Sequence, residues 1–317
     1  MSHLRNPLEA KLAMRGGKPT LFINGQPQVP IFYSLTDVPG GRWSWEEVPQ
    51  RNIRLFYEHG IRLVQLDIFL DHIWSEDGRM DLGLAQRQIQ GVLEHCPEAA
   101  VVFRLHVSSP KWWIQLHPEE WTYYADTSPQ SDLPWGLNRL IEEDNGPATR
   151  VSLASEVWQR EGERVVGEFC RQFSQTAEGD ALVGIQVANG VYGEWHYWGF
   201  IDHDPDTGHA MTKRFRKWLR DRYGSDEALR QEWGRESVTL ENAEVPGGEE
   251  RNTTSSGLFR DPAHEQIVID YYRCQHEVLA DSIIGFSKVV KDNWPRPIIT
   301  GTFYGYFFFM FGRQAAG

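Results

Sequence analysis

The residues best suited to chemistry in this sequence fall together in one stretch, residues 182–200, LVGIQVANGVYGEWHYWGF. It opens as an apolar run (Leu182, Val183, Ile185, Val187) and becomes a cluster of Asn189, Tyr192, Glu194, Trp195, His196, Tyr197 and Trp198. An apolar run of strand length with a polar, aromatic end is the pattern of a parallel strand that finishes at a binding site. A strand serving only the core has no use for several large rings and a carboxylate at one end. Flat rings with a polar handle stack on sugar faces. A carboxyl group set among rings can be kept protonated by desolvation. Glu194, with Tyr192, Trp195 and His196 around it, is therefore the candidate proton donor, and Asn189, Trp195 and His196 are candidate sugar-binding groups. The alternative for Glu194 is a carboxylate that binds a substrate hydroxyl.

Other polar clusters share this character. Tyr33 closes a first apolar run, Asp67 and Asp71 follow a second, Arg104 and His106 a third, and Thr302, Tyr304 and Tyr306 a fifth. Arg104 and His106 lie two residues apart and share one face of a strand, where both are costly unless satisfied. They either serve a site or form a structural ion pair with Asp67. Trp112 and Trp113 are either a sugar platform or loop packing. In a parallel barrel, strand ends converge, so Tyr33, Asp67, Arg104, His106, Trp112, Asn189, Trp195, His196 and Tyr304 are expected to bind substrate around Glu194 in one cleft. No HExxH or HxH spacing occurs, and the expectation is no metal and no cofactor. The stretch 202–208, DHDPDTG, resembles a calcium loop, but its glycine is one place late and Lys213 stands where a bidentate Glu is required; it reads as a polar loop.

The elements that must position these groups alternate between strand and helix, which predicts a parallel sheet with crossover helices. Residues 20–23 and 29–33 around Asn24-Gly25 read as an N-terminal hairpin, and residues 1–28 as an N-terminal extension that includes its turn. Ser44 and Glu47 have capping-box spacing for a first helix, with Pro49 in its first turn. Strands are predicted at 62–69, 101–107 and 182–188, and helices at 82–95 and 156–173. A helix pair follows at 213–223 and 226–233, stopped by Gly224 and capped by Ser225. A long helix begins at Asp261-Pro262, and a fifth strand spans 298–306. Residues 235–260, rich in Gly, Glu, Asn, Thr and Ser, read as a surface loop.

At 317 residues with a net charge of -12, the chain can bury a sizeable core and has no basic surplus for nucleic acid or an anionic membrane. Thirteen Trp, sixteen Phe and eleven Tyr exceed what such a core needs and favour a carbohydrate ligand over a Trp-rich core alone. The three cysteines form no CxxC pair, and the N-terminus has no apolar leader. A cytoplasmic location is expected, with no membrane partner.

Three stretches carry a resemblance: FRKWLRDRYGSDEALRQEWG (residues 215–234), PKWWIQLHPEEW (110–121) and WSEDGRMDL (74–82). Together with ITGTFYGY (299–306) they are similar to the glycoside hydrolase family 42 β-galactosidases, in the clan of (β/α)8 retaining glycosidases. The first is the most specific, resembling the family's helix pair after the fourth strand. The resemblance implies an α/β fold, a (β/α)8 TIM barrel, with residues 1–317 forming the N-terminal part of its catalytic domain, interrupted after about five βα units. It also implies an oligosaccharide or glycoside substrate, a homo-oligomer for the full-length protein, and an Asn-Glu pair ending the fourth strand with Glu as acid/base. Asn189 stands at the family's Asn, but Gly190 occupies the Glu position, and Glu194 is the nearest carboxylate. Gly190 and Gly193 allow the chain to turn back and present it. The nucleophile, by resemblance a Glu ending the seventh strand, is expected beyond residue 317.

The leading expectation is an exo-acting, retaining glycosidase of β-galactosidase type, working by double displacement with two carboxyl groups about 5–5.5 Å apart. A catalytically inactive carbohydrate-binding barrel, motivated by Gly190, is the alternative. A metal- or cofactor-dependent barrel enzyme has the least support.

Overall fold

A computed structural model describes residues 6–35, 39–125, 149–191, 193–198, 204–255, 257 and 259–304. Its packing divides the chain into two units. One comprises Met1–Pro110, Glu161–Asn189 and Ile284–Thr302; the other comprises Lys111–Arg160, Gly190–Ile283 and Phe303–Gly317.

The first unit begins with a three-stranded antiparallel sheet, β1 (Ala10–Arg15), β2 (Lys18–Ile23) and β3 (Gln26–Gln28). The Asn24-Gly25 turn is where the sequence places it, but the hairpin's second strand is β3, not residues 29–33. Pro30 has no N–H to give a ladder, so the chain leaves this sheet and Tyr33 falls in β4 (Phe32–Ser34). β4 opens a parallel sheet of order β4-β5-β6-β7-β8, with β5 at Leu63–Phe69, β6 at Ala100–His106, β7 at Leu182–Ala188 and β8 at Ile299–Gly301. Every residue of β7 is buried, as expected of a strand covered on both faces. The fifth strand's ladder stops at Gly301, short of the expected Tyr306, which lies outside the described residues.

Helices α1 (Glu47–Glu58), α2 (Leu70–Ile73) and α3 (Gly83–His95) belong to this unit. The Ser44–Glu47 capping box does not form. Glu46 is the N-cap residue and its carboxylate accepts from the Trp43 N–H at 2.8 Å. The buried Ser44 instead sits against Gly91, where a Cβ would come within 2.3 Å of its Oγ. Leu8, Ala10 and Leu21 pack with Leu63, Ala100 and Val183, residues at the N-terminal ends of β5–β7. The small sheet therefore covers that end, and the opposite, C-terminal end carries the polar groups. On the helix side of β6, Phe103 is fully buried against Phe169 and Phe173, with ring centroids 6.3 and 5.4 Å away.

The second unit contains α4 (Lys111–Leu116), α6 (His209–Tyr223), α7 (Asp226–Trp233) and α8 (Gly248–Asn252). Helix α5 (Glu156–Phe173) and helix α9 (Pro262–Asn293) have residues in each unit. The helix stops read from sequence hold: Gly224 ends α6, the Ser225 hydroxyl accepts from the Ala228 N–H at 3.2 Å, and Asp261 accepts from the Ala263 N–H at 3.0 Å. Residues 235–260 are not the expected surface loop. Val238, Leu240 and Ala243 join the core formed by Met211, Phe215, Leu219 and Tyr271. Arg251 in α8 is buried, its guanidinium donating to the carbonyls of Pro205 and Asp204 at 2.6 and 2.8 Å. Irregular spacing hides these buried positions from a periodicity reading. No helix among the described residues is long and apolar enough to cross a membrane.

The Phe103 cluster generates a stability prediction. Phe103→Ala should lower unfolding free energy by about 3–5 kcal/mol, the usual cost of removing a buried aromatic ring. Urea denaturation followed by circular dichroism measures it, and an unchanged midpoint would contradict the packing described.

Candidate active site

Three side chains meet at the C-terminal ends of β5 and β6. Asp67 and Arg104 are register partners, and Asp67 accepts from Arg104 Nε and, at 2.7 Å, from Arg104 Nη2. His106 Nε2 lies 3.0 Å from the same carboxylate, and its ring stacks on Phe69 at 4.2 Å. Burial would raise the Asp67 pKa, but the hydrogen bonds from His106 and Arg104 win and hold it below the ordinary value. An ionised carboxylate only accepts, so His106 Nε2 carries the shared proton. Asp67 and His106 are 2% and 1% exposed, so both are occupied by the ion pair and are not free substrate ligands. Of the two sequence readings for this trio, the ion pair is the one formed. Arg104 alone keeps a small exposed fraction.

A second polar row continues on the same strand faces. Ser34 Oγ donates to Gln65 Oε1 at 3.0 Å, and Gln65 Nε2 to Gln186 Oε1 at 2.6 Å. Strand alternation puts Tyr33 on the opposite face from Ser34. Its ring stacks on Phe56 of α1 at 4.8 Å, and its hydroxyl accepts from Asn52 at 3.3 Å. Tyr33 is thus a packing residue facing the helix, a correction to its expected place in the cleft. Asn189 is buried at the end of β7, and its Oδ1 accepts from Ser108 Oγ at 2.8 Å.

In the second unit, Gly190, Val191, Gly193, Glu194 and His196 close a tight turn. The Val191 N–H donates to the His196 carbonyl at 3.0 Å, the Gly193 N–H to Gly190 at 3.1 Å and the Glu194 N–H to Val191 at 3.0 Å. Gly190 and Gly193 have φ of 71° and 74°, a region that glycine occupies without strain. A Cβ on Gly190 would lie 2.2 Å from the His196 carbonyl oxygen. This backbone therefore excludes any side chain at 190, the family's Glu included. Glu194 is half-buried within the turn, while Trp195 (φ 62°) is 2% exposed. Trp195, Tyr197 and Trp198 are buried packing rings and do not form the sugar platform expected of Trp195; the apolar area they remove from water stabilises this unit. Tyr192 lies outside the described residues.

The remaining candidates lie in the second unit. Burial, aided by His276, pushes His196 down to about 4, so it is neutral at physiological pH. The exposed Tyr304 has its hydroxyl 3.3 Å from His276 Nδ1. Trp112 is half-buried at the start of α4, whereas Trp113 is buried, stacked on His117 at 4.1 Å and edge-on to Trp158 at 5.0 Å. Trp113 is therefore loop packing. Sequence reasoning missed Asp206 and its partners. Burial pushes Asp206 up to about 6 against hydrogen bonds from Ser152, Gly208 and Tyr123. The only sequence signal was the polar run 202–208, dismissed as a calcium site. Among the described residues no cluster of three or more His, Cys, Asp or Glu can hold a metal ion.

The glycoside hydrolase family 42 model, described as beta-galactosidase, matches residues 41–315. Beta-galactosidase BbgII of Bifidobacterium bifidum is 26% identical over 259 residues, covering 81% of this chain and 34% of that protein. Beta-galactosidase from the psychrophilic Marinomonas ef1 superposes with a TM-score of 0.60 at 16% identity, over 87% of this chain and 37% of that one. The catalytic domain of beta-amylase from Paenibacillus polymyxa gives 0.55 at 13%, over 86% and 66%. At these identities the structural likeness speaks for the fold, with the five parallel strands forming part of a (β/α)8 TIM barrel. The chain spans 34% of the length of the curated relative it matches. With the family's pattern running through most of its length, the chain belongs to glycoside hydrolase family 42, the beta-galactosidase family.

Proposed function

We propose that the protein carrying this chain is a glycoside hydrolase that removes terminal sugars from β-galactosides with retention of configuration, and that Glu194 is its general acid/base. The observation that carries the activity is the family match over residues 41–315. The tight turn supports the residue assignment. It accounts for Gly190 by steric exclusion and sets Glu194 half-buried four residues on. In the first step Glu194 would protonate the glycosidic oxygen as the bond breaks. In the second it would take a proton from the attacking water, while a second carboxylate forms and releases the glycosyl intermediate. Within its own unit, the Asp67–Arg104–His106 trio fixes the ends of β5 and β6.

A second reading, a barrel that binds sugar without cleaving it, is favoured by Gly190 standing where the family places its Glu. Glu194→Gln in the full-length protein separates the two. General-acid help is worth about 10²–10⁴-fold and matters most for basic leaving groups. The variant should therefore lose at least ~10²-fold on alkyl galactosides, far less on activated aryl galactosides, and regain part of its aryl turnover with azide. Equal losses on both, without azide rescue, would remove Glu194 from the acid role. A parent protein that binds galactosides but turns over neither class would establish the binding-only reading.

Restoring the family residue should not help. Gly190→Glu forces a side chain into positive φ and against a backbone carbonyl, at a cost of about 1–3 kcal/mol from the backbone alone. The thermal midpoint should fall and activity should not rise. A stable variant with higher turnover would show that the turn is not as described.

Asp67 gives an acid-limb prediction. Its folded pKa lies below the ordinary 3.8, so its stabilising contribution is complete above that pH and is lost as pH falls through the depressed folded value. Asp67→Asn should cost about 3–5 kcal/mol near neutrality, since it strands a buried cation, and the gap to the parent should narrow below pH 3.8. Denaturation curves across pH measure it; a gap independent of pH would refute the ionised pair.

A further inference from the structure

The second unit holds a buried carboxylate that the mechanism above does not use. Asp206 is fully buried and joins three chain segments with one side chain. Its Oδ1 accepts from the Tyr123 N–H at 3.2 Å and the Gly208 N–H at 2.7 Å, and its Oδ2 accepts from Ser152 Oγ at 2.5 Å. The same segments are stitched along their backbones. Thr122 N–H donates to Arg150 at 2.8 Å, Ser152 N–H to Glu120 at 2.7 Å and Thr207 N–H to Tyr123 at 2.9 Å. Gly208 permits this close approach, since a Cβ there would lie 2.5 Å from the Trp121 carbonyl oxygen.

Two residues beside these anchor points reach Trp198, two positions beyond His196, which closes the Glu194 turn. Tyr124, next to Tyr123, donates its hydroxyl to the Trp198 carbonyl at 2.8 Å. Arg150, two residues before Ser152, lies over the Trp198 ring with its guanidinium carbon 5.2 Å from the centroid. Both are buried, as is Trp198 itself, four residues from Glu194. The anchor for one end of the turn is thus assembled from two segments that Asp206 holds together.

The geometry points to Asp206 as a positioning residue for Glu194: through Tyr123 and Ser152 it fixes Tyr124 and Arg150, which clamp Trp198 and so set the turn that presents the acid/base. This rests on the reading of Glu194 as acid/base, and it adds a residue from a stretch with no catalytic assignment. Burying an ionisable group so completely is costly unless its hydrogen bonds are all formed. That asymmetry makes Asp206 an effective clamp: the segments must stay in place to satisfy it.

The test compares Asp206→Ala, Asp206→Asn and Tyr124→Phe in the full-length protein by amide hydrogen exchange and by kinetics on alkyl and activated aryl galactosides. In Asp206→Ala the Val191 and Glu194 amides, which close the turn, should exchange at least ~10-fold faster while strand amides of β5–β7 stay protected. Asn can still accept the two N–H bonds and donate to Ser152, so Asp206→Asn should retain protection. Tyr124→Phe, which removes the bond to the Trp198 carbonyl, should loosen the turn in the same direction and by less, and it carries the test if Asp206→Ala does not fold. If Glu194 is the acid/base, Asp206→Ala should also lose ~10-fold more on alkyl than on aryl substrates, a split that uniform structural damage would not produce. A loosened turn with equal losses on both substrates, in this variant and in Glu194→Gln alike, would retain Asp206 as the turn's anchor and overturn Glu194 as acid. Unchanged exchange at Val191 and Glu194 in both Asp206→Ala and Tyr124→Phe would overturn the positioning role.

Discussion

A buried carboxylate must have partners, and much of the arrangement of this chain follows from meeting that demand twice. Asp67 sits at the end of β5, where water cannot solvate it. Leaving it unpaired would cost more than a fold of ordinary stability can carry. Arg104 and His106, on the same face of the neighbouring strand, supply the donors. Because strand side chains alternate, a slip of one residue between β5 and β6 would put Asp67 opposite an apolar neighbour and turn both donors to the other face. The ion pair therefore selects the β5–β6 register, and the Ser34–Gln65 and Gln65–Gln186 bonds tie β4 and β7 to β5 in the same way. Apolar burial at the opposite end of these strands, beneath the antiparallel sheet, is compatible with that register and does not select it so sharply.

The second demand is made by Asp206, in a unit with no regular sheet among its described residues. There the backbone groups of three irregular segments satisfy one another only in part, and the carboxylate completes the set. Arg251 and Tyr271 do the same for the carbonyls of the Asp204–Asp206 stretch. Side chains here replace the hydrogen-bond ladder that a sheet would have supplied. Such a region is stiff where its bonds are complete.

The turn closed by Gly190, Val191, Gly193, Glu194 and His196 follows from the same economy of space. Its hydrogen bonds bring the His196 carbonyl onto the face of Gly190, leaving no volume for a side chain. A glutamate at position 190, which the resemblance would place there, is thus incompatible with this backbone. Trp195, Tyr197 and Trp198 are buried, and the area they remove from water stabilises this part of the chain.

The strands and helices that build the parallel sheet were legible in the sequence because each is written in local terms. The apolar runs of β5, β6 and β7, the exact span of α5, the Gly224–Ser225 break and the Asp261-Pro262 start all depend on near neighbours. The motifs at 74–82, 110–121 and 215–234 carried the family. The facing of side chains was decided by tertiary structure. Tyr33 turned toward Phe56 because it lies on the face of β4 opposite to Ser34, and Trp195, at positive φ in the turn, is buried. Arg251 and Leu240 became core although their neighbours are polar, since their partners lie far away in the chain. Asp206 has its partners as much as 83 residues away. No local pattern distinguishes a polar loop in water from one whose carboxylate is buried; only the folded chain brings the donors that make the difference.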